Sequence, residues 1–199
     1  MSYNLNNKNF NSTSIKIKKL SLIVEYMTEK ISQCQEIKRM LSYNTQNPLS
    51  AKGITYDNEK INQPDIKSSL IGECIRDIGF NPEMAIDLKN ELYVSYSNGR
   101  FDRGNRIYID VNILVPEDYL RISNGYRNFE IAQYVAEIFD DVYVDTKNGS
   151  DYYKELGSIK FNLTEFNNYR LSKTNSIIWS NLTFEVELSP MGRAKVWTN

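Results

Sequence analysis

The sequence predicts an α+β fold: an antiparallel four-stranded sheet of two long hairpins with a helix between them, a long N-terminal helix and a second helix packed on the sheet, and extended arms and loops. Residues 107–115 alternate apolar and polar side chains without a break, which predicts a strand with one buried face. Residues 178–188 alternate in the same way over a longer span. Between these strands, residues 128–139 repeat apolar side chains at helical spacing, so a helix is expected there.

A single domain is expected, because 199 residues suffice for one well-buried core but not comfortably for two. We assign residues 15–188 to this α+β domain, with an inserted extended loop at residues 42–64. Residues 1–14 are rich in Asn and poor in apolar side chains, which predicts a flexible N-terminal arm. Residues 189–199 are assigned to a C-terminal arm.

Two helices are predicted before the sheet. Ser14 offers an N-cap for a helix of about 26 residues, whose apolar stripe consists of Leu20, Ile23, Val24, Met27, Ile31, Cys34, Ile37 and Leu41. Its Lys and Arg residues, Lys38 among them, predict a cationic outer face that meets either solvent or a partner. Residues 65–78 predict the second helix, with Gly79 as its C-terminal stop.

The loop at residues 42–64 is unusually long for a compact domain, and it contains apolar side chains that need something to pack on. We expect it to lie on an adjacent subunit. The candidate interface residues of this loop are Tyr43, Pro48, Leu49, Ile54 and Tyr56.

The first hairpin is expected to pair residues 92–96 with the strand at 107–115 and to project a tip that is too long for a tight two-residue turn. The tip could meet a neighbouring subunit, a phosphate backbone or only water. Its charged residues are candidates for the interface: Arg100, Asp102, Arg103 and Arg106.

The C-terminal arm combines apolar and basic side chains. The arm could dock on the core of its own chain, dock on a neighbouring subunit, or remain disordered in solvent. Residues 61–189 carry a net charge of −7 and the last ten residues carry +2, so Arg193 and Lys195 favour the acidic body of another copy. The candidate interface residues of the arm are Met191, Arg193, Val196 and Trp197.

No catalytic, cofactor-binding or metal-binding residue is predicted. The chain contains no His, which most proton shuttles near neutral pH and many metal sites require. Cys34 and Cys74 are expected to be buried and inert. There is no apolar run of about 18 residues and no leader pattern, so no membrane association is expected and the protein should stay in the compartment where it is made.

The order of long helix, hairpin, helix and hairpin, with an exposed arm at each end, resembles the fold of tailed-bacteriophage neck and tail-completion proteins, the tail terminator and its relatives. The similar stretch runs over residues 15–188, including residues 90–99, which lead into the long strand, and residues 129–139, which precede the second hairpin. The helix at 65–78 and the loop at 42–64 depart from the smallest members of that group, which leaves the position in the neck undetermined.

The resemblance implies a virion structural protein without enzymatic activity and without cofactors. It would form a homomeric ring, a hexamer or dodecamer, that joins the portal and head to the tail around the DNA channel. Its partners would be itself and adjacent neck, tail or portal proteins, while DNA passes without specific binding. Assembly would take place in the host bacterial cytoplasm.

A nucleic-acid-binding α+β module is the alternative, and an enzyme that works without His is a further one. Tyr93, Tyr96, Tyr108 and Trp179 are aromatic residues of predicted strands and suggest a base-stacking sheet. The strand order differs from that of RNA-recognition domains, and a net charge of −1 gives no basic footprint.

Overall fold

The computed structural model describes residues 12–49, 55–56, 59–60, 65–81, 89–97, 106–123, 125–145, 153, 156–171 and 176–188. Helices and strands there are α1 Ser12–Gln33, α2 Gln35–Ser42, β1 Thr55–Tyr56, β2 Glu59–Lys60, β3 Ile75–Arg76, β4 Glu91–Tyr96, β5 Arg106–Pro116, α3 Glu117–Leu120, β6 Arg121–Ile122, β7 Gly125–Tyr126, α4 Arg127–Phe139, β8 Tyr143–Asp145, β9 Ser158–Arg170 and β10 Ile177–Leu188.

The main sheet has six strands in the order β3-β4-β5-β10-β9-β8, and it is mixed. The predicted antiparallel four-stranded sheet is therefore wrong as a description of the fold. Its two hairpins, β4–β5 and β9–β10, form the centre and are joined by antiparallel pairing of β5 with β10. β3 adds in parallel to one edge, and β8 adds antiparallel to the other. Strands of two and three residues are too short to show a periodic pattern in sequence.

Residues 65–78 do not form the predicted helix. The backbone turns tightly at Leu70 and Gly72, which have φ angles of 60° and 82°, and the amides of residues 73 to 75 all donate to the Leu70 carbonyl. After this turn Ile75 enters the sheet as part of β3. The apolar residues of this stretch imitate a helical stripe because Leu70 and Ile75 both reach the core. Gly72, which lies inside the pattern and disfavours a helix, was the sequence signal against the prediction.

The long N-terminal helix is present but broken. Cys34 has extended backbone angles (φ −76°, ψ 113°) and separates α1 from α2. The predicted apolar stripe continues across the break, since Ile31 and Ile37 are both fully buried. Helix α1 packs on β3, β4 and β5, whereas α2 packs on α4 and α1.

The core lies between one face of the sheet, called here the inner face, and α1, α2 and α4. The predicted inner face of residues 107–115 is confirmed, because the five inward side chains of β5 are at most 1% exposed: Ile107, Ile109, Val111, Ile113 and Val115. The opposite face is not fully exposed, since Asn112 and Leu114 are also buried. Val111 lies between Val94 of β4 and Leu182 of β10. Helix α4 is also confirmed. Phe129 has the spacing of the apolar stripe of this helix and would be expected to be buried, but 44% of that residue is exposed.

Candidate subunit-contact surfaces

The first part of the predicted interface loop packs on its own domain. Pro48 is buried, and Leu49 is partly buried against the hydrophobic core. The carbonyl of Tyr43 accepts a hydrogen bond from Arg127 of α4 at 2.8 Å. Ile54 lies outside the described residues, and for Tyr56 the structure describes only its place in β1.

Arg127 attaches this segment to the core. The residue is completely buried, and its guanidinium donates to the carbonyls of Met40, Tyr43, Thr45 and Tyr119. Burial lowers the pKa of Arg127 to about 10, so it stays charged at neutral pH. Met40 lies in the last turn of α2, where unpaired carbonyls and the helix dipole favour a cation.

Two predicted surface cations are internal. Lys38 is 5% exposed and donates to the carbonyls of Ile66 and Ser68 at 2.6 and 3.1 Å. Lys19 is 6% exposed and donates to the Leu156 carbonyl at 3.1 Å. These side chains tie the helices to loops of the same chain, so they do not form the expected outer cationic face.

The hairpin tip and the C-terminal arm lie almost entirely outside the described residues. This applies to Arg100, Asp102, Arg103, Met191, Arg193, Val196 and Trp197. Arg106 is described, and it is exposed at the start of β5. Its guanidinium forms ion pairs with Glu185 and Glu187 of β10 at 3.5 and 3.4 Å. This cation is therefore already neutralised within its own sheet.

Along most of strand β9, the described part of the chain provides a neighbouring strand on one side only. Within the described residues β8 pairs with β9 only at residues 158–160, and the amide of Leu171 donates across to Ile177 of β10 at 3.1 Å. Because successive residues of a strand direct their amides and carbonyls to alternate sides, those of Phe166, Asn168 and Arg170 point away from β10. An edge of this kind is a template for another strand. We call residues 164–170 the β9 edge.

Exposed aromatic side chains lie along this edge. Phe166 is 45% exposed and contacts Phe129 of α4, with ring centroids 5.9 Å apart. Phe129 in turn contacts Tyr126 at 5.8 Å, and Tyr126 is also exposed. Tyr126, Phe129 and Phe166 form what we call the β9 patch. The sequence analysis missed it because Phe129 fits the apolar stripe of α4. The sequence signal that could have revealed the patch is the loss of apolar and polar alternation along residues 164–170.

The opposite edge of the sheet also exposes apolar side chains. Tyr96 at the end of β4 is 60% exposed, and Ile71 and Ile78, on either side of β3, are 43% and 55% exposed. We call these three residues the β3–β4 patch. Because β3 pairs with β4 only at Leu92 and Tyr93, the end of β4 has β5 on one side and no strand on the other side among the described residues. One sheet therefore carries two different apolar patches on its two edges.

The outer face of the sheet is a polar network. Asn112 is 4% exposed, and its side-chain oxygen accepts from Trp179 and Asn181 at 2.8 and 3.0 Å. Glu91 accepts from the Tyr93 hydroxyl at 2.8 Å and pairs with Arg76 at 3.0 Å. Burial, together with this carboxylate, raises the pKa of Tyr93 to about 12. The outward polar groups of the central strands thus satisfy one another.

Both cysteines are free and partly buried, and burial raises the pKa of each thiol. The described part of the chain contains no group of three or more Cys, Asp or Glu residues placed to hold a metal ion. Among the helices described, none has the length and apolar content needed to cross a bilayer.

The chain matches a family model named YomW over residues 35–178, from the start of α2 into β10. The protein belongs to the YomW family. This family derives from the SPbeta region of a Bacillus phage, so the protein is phage-associated. The matched range includes the β4–β5 hairpin, α4, β9 and the β9 patch, and it ends two residues into β10. No curated protein and no solved structure matches the chain.

Proposed function

We propose that this YomW-family protein is a structural subunit of the neck or tail of a tailed bacteriophage. In this proposal its copies form a closed ring, a hexamer or dodecamer, that joins the portal and head to the tail. The protein performs no reaction and needs no cofactor, and genomic DNA crosses the ring without specific binding. The phage-derived family supports the setting, and the two sheet edges support the mode of assembly.

The observation that carries the proposal is that the β9 patch and the β3–β4 patch lie on opposite edges of one sheet. A contact between two different surfaces of identical subunits is heterologous, and it repeats from copy to copy until a ring closes. Exposed aromatic and branched side chains suit such a contact, because burying them removes apolar area from water. Further partners would be adjacent neck, tail or portal proteins.

The test is the mass of the purified protein by native mass spectrometry, with negative-stain images of the same sample. We expect closed rings of six or twelve copies. Tyr96→Ser should reduce ring formation, because it removes the most exposed aromatic side chain of the β3–β4 patch. Tyr143→Ser is the matched control, since Tyr143 is 55% exposed on β8 and belongs to neither patch. A protein that stays monomeric at tens of micromolar would refute the proposal.

The nucleic-acid-binding alternative is less well supported by the outer sheet face. Tyr93 and Tyr108 each donate their hydroxyl to a carboxylate, Glu91 at 2.8 Å and Glu185 at 2.9 Å. Carboxylates beside the rings repel phosphates and disfavour base stacking at these positions. A binding assay with single-stranded and duplex DNA and RNA, titrated with salt, should give weak or no binding. Tight binding that weakens steeply with salt would favour the alternative.

A further inference from the structure

We propose that the β9 edge is the docking site for the C-terminal segment of a second copy, which adds to the sheet as a strand through residues 191–197. This inference rests on the proposed assembly of identical copies, and it specifies which segment occupies one of the two edges. Three independent features of the edge and of the segment support it: backbone geometry, side-chain chemistry and reach.

The backbone of the edge requires an extended occupant. Phe166, Asn168 and Arg170 pair with β10 but direct their amides and carbonyls to the other side, where the described residues include no strand. A strand added here would form main-chain hydrogen bonds at every second residue, as in β-augmentation. The side chains beside the edge are 45–47% exposed, Phe166 on the inner face and Tyr169 on the outer face. An added strand with apolar residues could therefore contact aromatic rings on both faces.

The charges around the edge favour a basic occupant. Glu165 lies on the edge and is exposed. It has no ion-pair partner among the described residues. The cations of β9 and α4 are engaged: Lys160 with Asp141, Arg170 with Glu117, both at 2.6 Å, and Arg127 within the core.

The C-terminal segment has the matching chemistry. It contains Arg193 and Lys195 and no acidic residue, and it carries the apolar residues Met191, Val196 and Trp197. Trp and Arg are the residue types most often found as anchors of protein interfaces. The carboxylate of Glu165 and the exposed aromatic rings of the edge are thus complementary to the basic and apolar side chains of the segment.

The register of the sheet favours another copy as the source of a strand that includes the whole segment. Leu188, the last residue of β10, pairs with Ile159, whereas the nearest outward residue of the edge, Phe166, lies seven residues further along β9. That separation is about 23 Å at the rise of a strand. Met191 is three residues beyond Leu188 and can reach only about 10 Å, so in the same copy only the last residues of the segment span this distance. In the same copy, β8 also occupies the edge at residues 158–160.

The test uses the full chain with p-benzoylphenylalanine in place of Trp197, which keeps an aromatic ring at that position. Trypsin cleaves after Lys160 and Arg170 and releases the edge as one peptide, residues 161–170. Light-induced cross-links from position 197 should therefore appear on this peptide. Mixing ¹⁵N-labelled and unlabelled copies distinguishes the two origins, because only a contact between copies joins a labelled to an unlabelled peptide.

The expected result is a mixed-label cross-link on residues 161–170 in the assembled fraction. Phe166→Ser should lower its yield about tenfold, the loss expected when an aromatic anchor site is removed. Tyr143→Ser should leave the yield unchanged. Size measurements on the same samples separate the two proposals. Rings with cross-links elsewhere, or only within one copy, would overturn this inference and leave the ring intact; absence of both rings and cross-links would overturn both.

Discussion

At the scale of single residues, Arg127 connects several separate segments of the chain. It is the largest fully buried side chain among the described residues, and its guanidinium joins α4 to the end of α2, to the segment after it and to α3 through four backbone carbonyls. Burying an unpaired cation is costly, and here carbonyl dipoles stabilise it where a carboxylate would usually do so.

Arg127→Met should therefore destabilise the protein by about 3 kcal/mol, because one buried and three partly buried hydrogen bonds to carbonyls are lost. Arg127→Lys should cost less, since the charge remains while the planar fork of donors is lost. Urea denaturation of the three proteins measures this order. If Arg127→Met were as stable as the parent, the desolvation of the cation would outweigh the hydrogen bonds, contrary to our account.

The pair of Tyr93 and Glu91 should produce a pH dependence at alkaline pH. The pKa of Tyr93 is raised from 10.0 to about 12 in the folded protein, so the neutral phenol favours folding. This contribution is complete below pH 10 and is lost as the pH rises from about 10 to about 12. Glu91→Gln should lower the Tyr93 pKa while leaving it above 10, because burial remains. NMR titration of ¹³C-tyrosine-labelled protein measures both values, and an unchanged pKa would contradict the assigned hydrogen bond.

At the scale of elements, the alternation of β5 is the strongest constraint on the sheet. Val111 is fully buried between β4 and β10, so Val111→Asp should cost about 3 kcal/mol or more. Asn167→Asp adds the same carboxylate to the outer face of β9 and should change the free energy of unfolding by less than about 1 kcal/mol. Thermal denaturation compares the two variants. Equal melting temperatures would show that the assigned faces are wrong.

At the scale of the whole molecule, assembly should depend on segments that the folded domain does not need. Deletion of residues 190–199 should remove the rings and leave the melting temperature of the single subunit unchanged, because in our proposal this segment docks on another copy. Analytical ultracentrifugation and calorimetry test the two expectations separately. A destabilised subunit, or rings that form as before, would contradict docking between copies.

The hairpin tip carries the remaining assembly prediction. Arg103→Glu should weaken ring formation and leave subunit stability nearly unchanged, since exposed substitutions usually cost less than about 0.5 kcal/mol. Arg121→Glu is a matched charge reversal at an exposed residue of β6 and should affect neither property. Unfolding of the subunit by Arg103→Glu would show that the tip packs on its own domain.

The local patterns of the chain determined the four long strands, α4 and the buried face of β5, because each of these elements repeats its pattern over five or more residues. The same reasoning failed at residues 65–78, where two core contacts separated by a tight turn imitate a helical stripe. It also failed at Phe129, whose spacing is that of a core residue although the ring reaches the surface.

Tertiary structure alone decided which edges of the sheet stay open and which charges become internal. The order of the six strands depends on pairings between residues distant in sequence, such as Val111 with Leu182, and no local pattern encodes them. Lys38 and Arg127 resemble surface cations in sequence, and only the fold brings backbone carbonyls to them. The β9 patch likewise exists only because α4 packs beside a strand whose outer neighbour ends early. The sequence determines the local periodicity of apolar residues. The exposure of a side chain and its hydrogen-bond partners depend on which distant parts of the chain pack next to it.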